Sequence, residues 1–199
     1  MTVFRHVAKG TFPGEAWSFT LHTEGTIALT AAQAAWSSAL GTFWTGSLDA
    51  LVNENVSLTE SSTASLSDST GAQISRLSDD ENLPGVATQG LLPPQCTVAV
   101  SLRTALATRA GRGRFYLPTF DKGTVTAAGG RLNSTSITAT VTAAGAMLAS
   151  LIADDLTPVI YSRSALTTQP ITQYDVGDVI DTQRRRRDKL IEVRTGDSV

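Results

Sequence analysis

The sequence predicts an α+β fold, mainly antiparallel sheet with two helices packed on one face. Three observations lead there. Apolar residues fall at every second position in several segments, as in Trp17, Phe19 and Leu21 or Cys96, Val98, Val100 and Leu102. Two other segments repeat apolar residues at steps of three and four: Trp36, Leu40 and Phe43, then Ile137, Val141, Ala144, Leu148 and Leu151. The order of these segments shows neither the strand–helix–strand rhythm of a parallel sheet nor an internal repeat.

Taken in order, Phe4 and Val7 belong to a first strand, turned by Phe12-Pro13-Gly14 into a second over Glu15–His22. A helix follows from about Ala31 to Val52. Thr30 and Gln33 stand in capping-box relation at its start, and Trp44, Leu48 and Leu51 form a second apolar row. Residues 56–77 read as three short polar strands, Val56–Thr59, Ala64–Ser67 and Gln73–Leu77, with Ser69-Thr70-Gly71 as a hairpin turn. Residues 78–94 read as a loop, from acidic Asp79-Asp80-Glu81 to the breakers Pro84-Gly85, Gly90 and Pro93-Pro94. The clearest strand is Cys96–Arg103, with Arg114–Leu117 as its partner across the turn at Ala110–Gly113. The second helix spans about Ser136–Asp154, although β-branched Ile137, Thr138, Thr140, Val141 and Thr142 weigh toward strand. Pro158–Arg163 and residues 171–181 complete the strands. The whole reads as one domain over 1–199, with an internal joint at 78–94 and a charged tail over 184–199.

The chain has 199 residues, 41% hydrophobic and 17% charged, against the usual quarter charged. A surface so poor in charge suits one largely covered by neighbours. Residues 1–100 hold three basic residues (Arg5, Lys9, Arg76) and nine acidic ones, a net of −6; residues 101–199 hold thirteen and nine, a net of +4. An acidic half beside a basic half suits contact between identical subunits. The overall net charge of −2 is not the footprint of a dedicated nucleic-acid binder. Met1-Thr-Val-Phe-Arg-His shows no charged segment followed by an apolar one, so no signal peptide is expected, and no apolar run reaches the length that spans a membrane. Cys96 is the one cysteine, expected to pack as a small hydrophobe and to exclude a disulfide framework.

No catalytic constellation stands out, and no small-molecule substrate or cofactor is expected. His22 and Glu24 could share a strand face as metal ligands, but nothing supplies a third, so no metal is expected. His6 is the other histidine, and no Gly-x-Ser-x-Gly elbow marks a nucleophile. Asp175, Asp178 and Asp181 could serve a hydrolase, but their spacing of three does not put them on one strand face, and they serve more simply as partners for arginines. Gly111-x-Gly113 is too short for a dinucleotide or phosphate loop.

The arginines carry the functional expectation. One group is Arg109, Arg112 and Arg114 among glycines; the other is Arg184, Arg185, Arg186 and Arg187, bracketed by Asp181 and Asp188. Guanidinium groups bind carboxylate or phosphate bidentately and stay charged throughout. On an extended segment alternate arginines point to opposite sides, so two can pair within the protein while two meet a partner. These residues, with Asp181, are expected at subunit interfaces or on phosphates.

Three segments together carry a resemblance: Leu92-Pro-Pro-Gln95 leading into Val98–Thr104, then Arg112-Gly-Arg-Phe-Tyr-Leu-Pro118, then Val176-Gly-Asp-Val-Ile-Asp181-Thr-Gln-Arg-Arg-Arg-Arg187. The chain resembles a family of small bacteriophage virion structural proteins over roughly residues 90–190, with a weaker echo at Glu15-Ala-Trp17. The resemblance implies a virion part and assigns no role to single residues. The expectation is thus a non-enzymatic subunit of the tail or head–tail junction. It would be made in the host cytoplasm, oligomerise with itself and contact other virion proteins, with packaged DNA as a further contact. A capsid decoration protein and a nucleic-acid-binding module are the alternatives.

Overall fold

A computed structural model describes residues 1–12, 15–45, 57–84, 96–103, 112–119, 134–171 and 173–181. The mixed, antiparallel architecture expected from the sequence is present. The elements run β1 (Thr2–Phe12), β2 (Glu15–Gly25), α1 (Leu29–Phe43), β3 (Ser57–Leu66), β4 (Gln73–Pro84), β5 (Cys96–Arg103), β6 (Arg112–Thr119), α2 (Ser134–Ala153), β7 (Thr157–Ser162), β8 (Thr167–Pro170) and β9 (Gln173–Asp181). Six strands form one sheet in the order β4-β3-β1-β2-β7-β8, and three form another in the order β6-β5-β9. Every neighbouring pair is antiparallel.

Alternation explains the central hairpin. Phe4, His6 and Ala8 of β1 and Phe19, Leu21 and Thr23 of β2 are buried. Register puts them opposite one another: Phe4 with Thr23, His6 with Leu21, Ala8 with Phe19. Trp36 of α1, fully buried, sits on this face. Its ring meets Phe19 edge-on at 6.0 Å and His6 at 5.1 Å, and its Nε1 donates to the Val7 carbonyl at 3.3 Å. Leu40, Phe43, Met147, Leu148 and Leu151 join the same core.

Several elements differ from the expectation. Helix α1 begins at Leu29, after Ala28, which makes no side-chain cap. Thr30 therefore lies inside the first turn. Gln33 does not reach back; its amide turns to β3 and β4, which outbid a cap. The polar stretches at 57–66 form one continuous strand, not two. The loop expected from residue 78 is strand as far as Pro84, because an edge strand tolerates charged side chains that water can reach. Its remainder, and the expected helix end beyond Thr45, lie outside the described residues. Strand β8 was not expected: four residues are too few for a visible alternation.

Helix α2 ends in a Schellman turn. The Leu156 N–H bonds the Leu151 carbonyl at 2.8 Å and the Asp155 N–H bonds that of Ile152 at 3.1 Å. Asp155 takes the left-handed seat, with φ 61. Its carboxylate accepts from the Thr26 N–H at 3.0 Å and hydroxyl at 2.5 Å, bonds that hold it below the usual carboxylate range. The helix end is thereby tied to the β2–α1 turn.

The large sheet curls. The β3–β4 turn reaches the β7–β8 hairpin, although these join strands at opposite edges. Gly71 is buried there with φ +62, and a Cβ on it would lie 2.5 Å from Tyr161 Oη and 3.0 Å from Leu166. Gly71→Ala is expected to destabilise the protein by about 1–3 kcal/mol, from left-handed strain plus the clash. Denaturant unfolding measures this. Adding Tyr161→Phe, which removes the oxygen, should recover part of the loss; no recovery would mean that the hairpins do not press on each other here.

Candidate functional site

The face of β1 opposite the core carries Arg5, Val7 and Lys9, the alternate partners of His6 and Ala8. Register aligns Arg5 with Ala64, Val7 with Ser62 and Lys9 with Glu60 on β3. It then aligns Ala64 with Arg76, Ser62 with Ser78 and Glu60 with Asp80 on β4. Arg5, Val7, Lys9, Ser62, Ala64 and Arg76 line a hollow of about 160 Å³. The three basic residues of the first hundred positions, 71 positions apart at their widest pair, Arg5 in β1 and Arg76 in β4, thus meet in one place.

One carboxylate, that of Glu60, serves two of these cations. Lys9 Nζ donates to both Glu60 oxygens, at 2.9 and 3.1 Å, and Arg76 forms an ion pair with the same group. The hydrogen bond from Lys9, the charges of Lys9 and Arg76 and a hydrogen bond from Ser62 hold Glu60 below its ordinary range, against a smaller opposing effect of burial. Arg5 donates from Nη2 to Gln73 Oε1 at 2.6 Å, while its buried Nε has no hydrogen-bond partner. Solvent-accessible ion pairs of this kind stabilise a fold by about 0–1 kcal/mol, so stability does not account for the gathering. The excess of positive charge fits an incoming carboxylate or phosphate oxygen.

The same face continues past Arg5. His22 lies opposite Arg5 in register, its ring 5.3 Å from that of Tyr161. Burial, then the positive charge of Arg5, lowers its pKa to about 4. Glu24 accepts from Thr168 Oγ1 at 2.5 Å. His22 and Glu24 do share a face. Among the described residues, however, no group of three or more His, Cys, Asp or Glu side chains could hold a metal ion.

Two buried polar groups lie on the core side. His6 bridges Thr63 through Nδ1 at 2.9 Å and Thr23 through Nε2 at 2.8 Å, so three adjacent strands are laced by one ring. A neutral imidazole donates once and accepts once, and the two hydroxyls can satisfy either tautomer. Burial, with a smaller push from His22, lowers the His6 pKa to about 3. Both nitrogens are engaged by threonines, so this ring activates no serine. Gln33 Nε2 donates to Asp79 Oδ2 at 2.8 Å and approaches Ser61 Oγ and O at 3.2 and 3.3 Å. Ser37 Oγ lies 2.6 Å from Ser61 Oγ and donates to Asp79 at 3.0 Å. Turning the Gln33 amide over would set its oxygen against that carboxylate and carbonyl. The observed orientation leaves Oε1 buried without a donor, a cost of about 1–3 kcal/mol. The cluster pins α1 to β3 and β4.

The arginines singled out in the sequence are placed unequally. Arg112 and Arg114 stand on β6, opposite Arg103 and Ser101 of β5. Ser101 is also opposite Asp175 of β9, so Arg114 and Asp175 flank the same residue. Asp181 ends β9 opposite Cys96. Asp175 and Asp181 are therefore about 20 Å apart along the strand, at roughly 3.4 Å per residue, too far for a hydrolytic pair. Arg109 and Arg184 to Arg187 lie outside the described residues. Sequence reasoning missed the hollow, although Arg5 and Lys9 flanking Val7, out of phase with Phe4, His6 and Ala8, mark a cationic strand face. No helix among the described residues is long and apolar enough to cross a membrane. Comparison with protein-family models, with curated proteins and with solved structures finds no match for this chain.

Proposed function

We propose that this chain is a non-enzymatic structural protein of a bacteriophage particle, a tail or head–tail-junction subunit that assembles through charge-complementary contacts. It would be made in the host cytoplasm and built into the virion. Both helices cover one face of the large sheet in this reading, which leaves the other face for neighbours. The supporting observation is the gathering of Arg5, Lys9 and Arg76 at one hollow, where Glu60 pairs Lys9 and Arg76, next to a strand edge on which Asp79 and Asp80 are exposed. Excess positive and excess negative charge thus lie side by side at one edge, the arrangement that repeated identical contacts require. The sequence resemblance and the low charge of the chain point the same way, and Arg112, Arg114 and Arg184 to Arg187 would add contacts from the basic half.

Light scattering of the purified protein at low and high salt tests this. A discrete oligomer that weakens as salt rises is the expected result. A monomer at every salt argues against self-assembly and leaves a decoration protein, which needs a partner surface. Salt-sensitive binding to a short DNA duplex by a monomer would favour the nucleic-acid reading.

A further inference from the structure

Among the described residues strand β4, 12 residues long, is one edge of the large sheet, whereas the opposite edge, β8, has only four. Gln73 to Arg76 and Ser78 to Asp80 are exposed. Such an edge presents a row of main-chain donors and acceptors to any strand that can lie beside it. The acidic run guards it against indiscriminate pairing, but the guard is incomplete because Arg76 breaks the sign.

The stretch Ser75–Asp80 pairs regularly with β3, so Arg76, Ser78 and Asp80 share the cationic face and Ser75, Leu77 and Asp79 share the other. Consider a second copy lying antiparallel against this edge with both cationic faces on one side. Opposed residues must then share a face, and the two-fold axis must pass through a residue. An axis at Asp79 or Asp80 sets acid against acid. An axis at Leu77 leaves Arg76 opposite a serine. An axis at Ser78 opposes Arg76 to Asp80 of the second copy, twice over, and sets Asp79 against Leu77 and Glu81 against Ser75. All three acids then avoid one another.

We propose that β4 joins β4 of a second copy about a two-fold axis at Ser78, and that the carboxylate of Asp80 from the second copy supplies a second anion to Arg76, which within its own chain shares Glu60 with Lys9. The proposal rests on the assembly reading above and names its surface and register. The ladder of main-chain hydrogen bonds supplies the affinity; the two ion pairs select the register.

Reciprocity makes the test sharp. Arg76→Asp opposes two acids at each contact, and Asp80→Arg opposes two arginines. Each variant alone is expected to raise the dimer dissociation constant at least tenfold, measured by sedimentation at low salt with circular dichroism as the check on folding. An equimolar mixture is expected to form one-to-one heterodimers, because every contact then pairs Asp with Arg. If Arg76→Asp fails to fold beside Glu60, Arg76→Gln replaces it, and its mixture with Asp80→Arg should still associate more tightly than Asp80→Arg alone. Variants that associate as well as the wild type, or a mixture that stays monomeric, overturn the β4 register while the assembly reading stands. A wild-type protein that is monomeric at every salt removes both.

Discussion

Trp36→Ala is expected to cost about 3–5 kcal/mol, the range for removing a large buried aromatic. The indole is fully buried, stands edge-on to Phe19, stacks beside His6 and donates to the Val7 carbonyl. Alanine would leave a cavity at the meeting point of α1, β1 and β2 and a carbonyl without its donor. The surrounding strands are held by their own ladders and cannot close in. Because domains are stable by only about 5–15 kcal/mol, this substitution should consume much of the margin. Urea unfolding of both proteins gives the difference. A loss under about 1 kcal/mol would mean that Trp36 is not the centre of the core.

Mild acid is expected to have a comparable effect. His6 keeps its neutral form down to about pH 3 in the fold, whereas in the unfolded chain it takes up a proton near 6.5. A group whose folded pKa is depressed contributes stability that is present above the unfolded pKa and is lost as pH falls toward the folded one. Below pH 6.5 the loss approaches about 1.4 kcal/mol per pH unit, or about 2 kcal/mol by pH 5. His22, with its pKa lowered to about 4, acts in the same direction. The carboxylates Glu60 and Asp155 are also held low, but their contribution is lost only below about pH 4.5, so the interval from 6.5 to 5 isolates the histidines. Stability measured across that interval should fall in the wild type and in His22→Gln, and should stay flat in a His6→Gln, His22→Gln double variant. A flat wild-type curve would sink the buried, neutral assignment of His6.

What the sequence revealed and what it hid divide along one physical line. Strand β5 was legible from the alternation of Val98, Val100 and Leu102, and the α2 core face from Ala144, Leu148 and Leu151, because a run of apolar residues at a fixed step is a local pattern. The polar interior left no such imprint. Ser61, Ser62 and Thr63 are buried, yet their composition reads as surface. Ser61 and Thr63 are admitted to the interior by hydroxyl bonds to Gln33, Ser37 and His6, partners that lie 24 to 57 residues away, and Ser62 lines the hollow beside Glu60. Gln33 read as a cap for the same reason: its real partner, Asp79, is 46 residues on. The hollow is an extreme instance, since Arg5 and Arg76 become neighbours only once β1, β3 and β4 are in register.

The order of strands in the large sheet bears on how the chain is made. Strands β1 to β4 come from the first 84 positions, while β7 and β8, which complete the sheet beside β2, come from 157–170. On the ribosome the early four strands and α1 can form a partial sheet, but the β2 edge stays open until the later segment emerges. Thr26 waits equally long for Asp155. Truncated translation products ending before residue 170 would therefore carry a raw edge and seek other strands to cover it. The same geometry makes the late segment a natural complement: a fragment ending at Pro84 and one supplying α2 to β8 each hold what the other lacks.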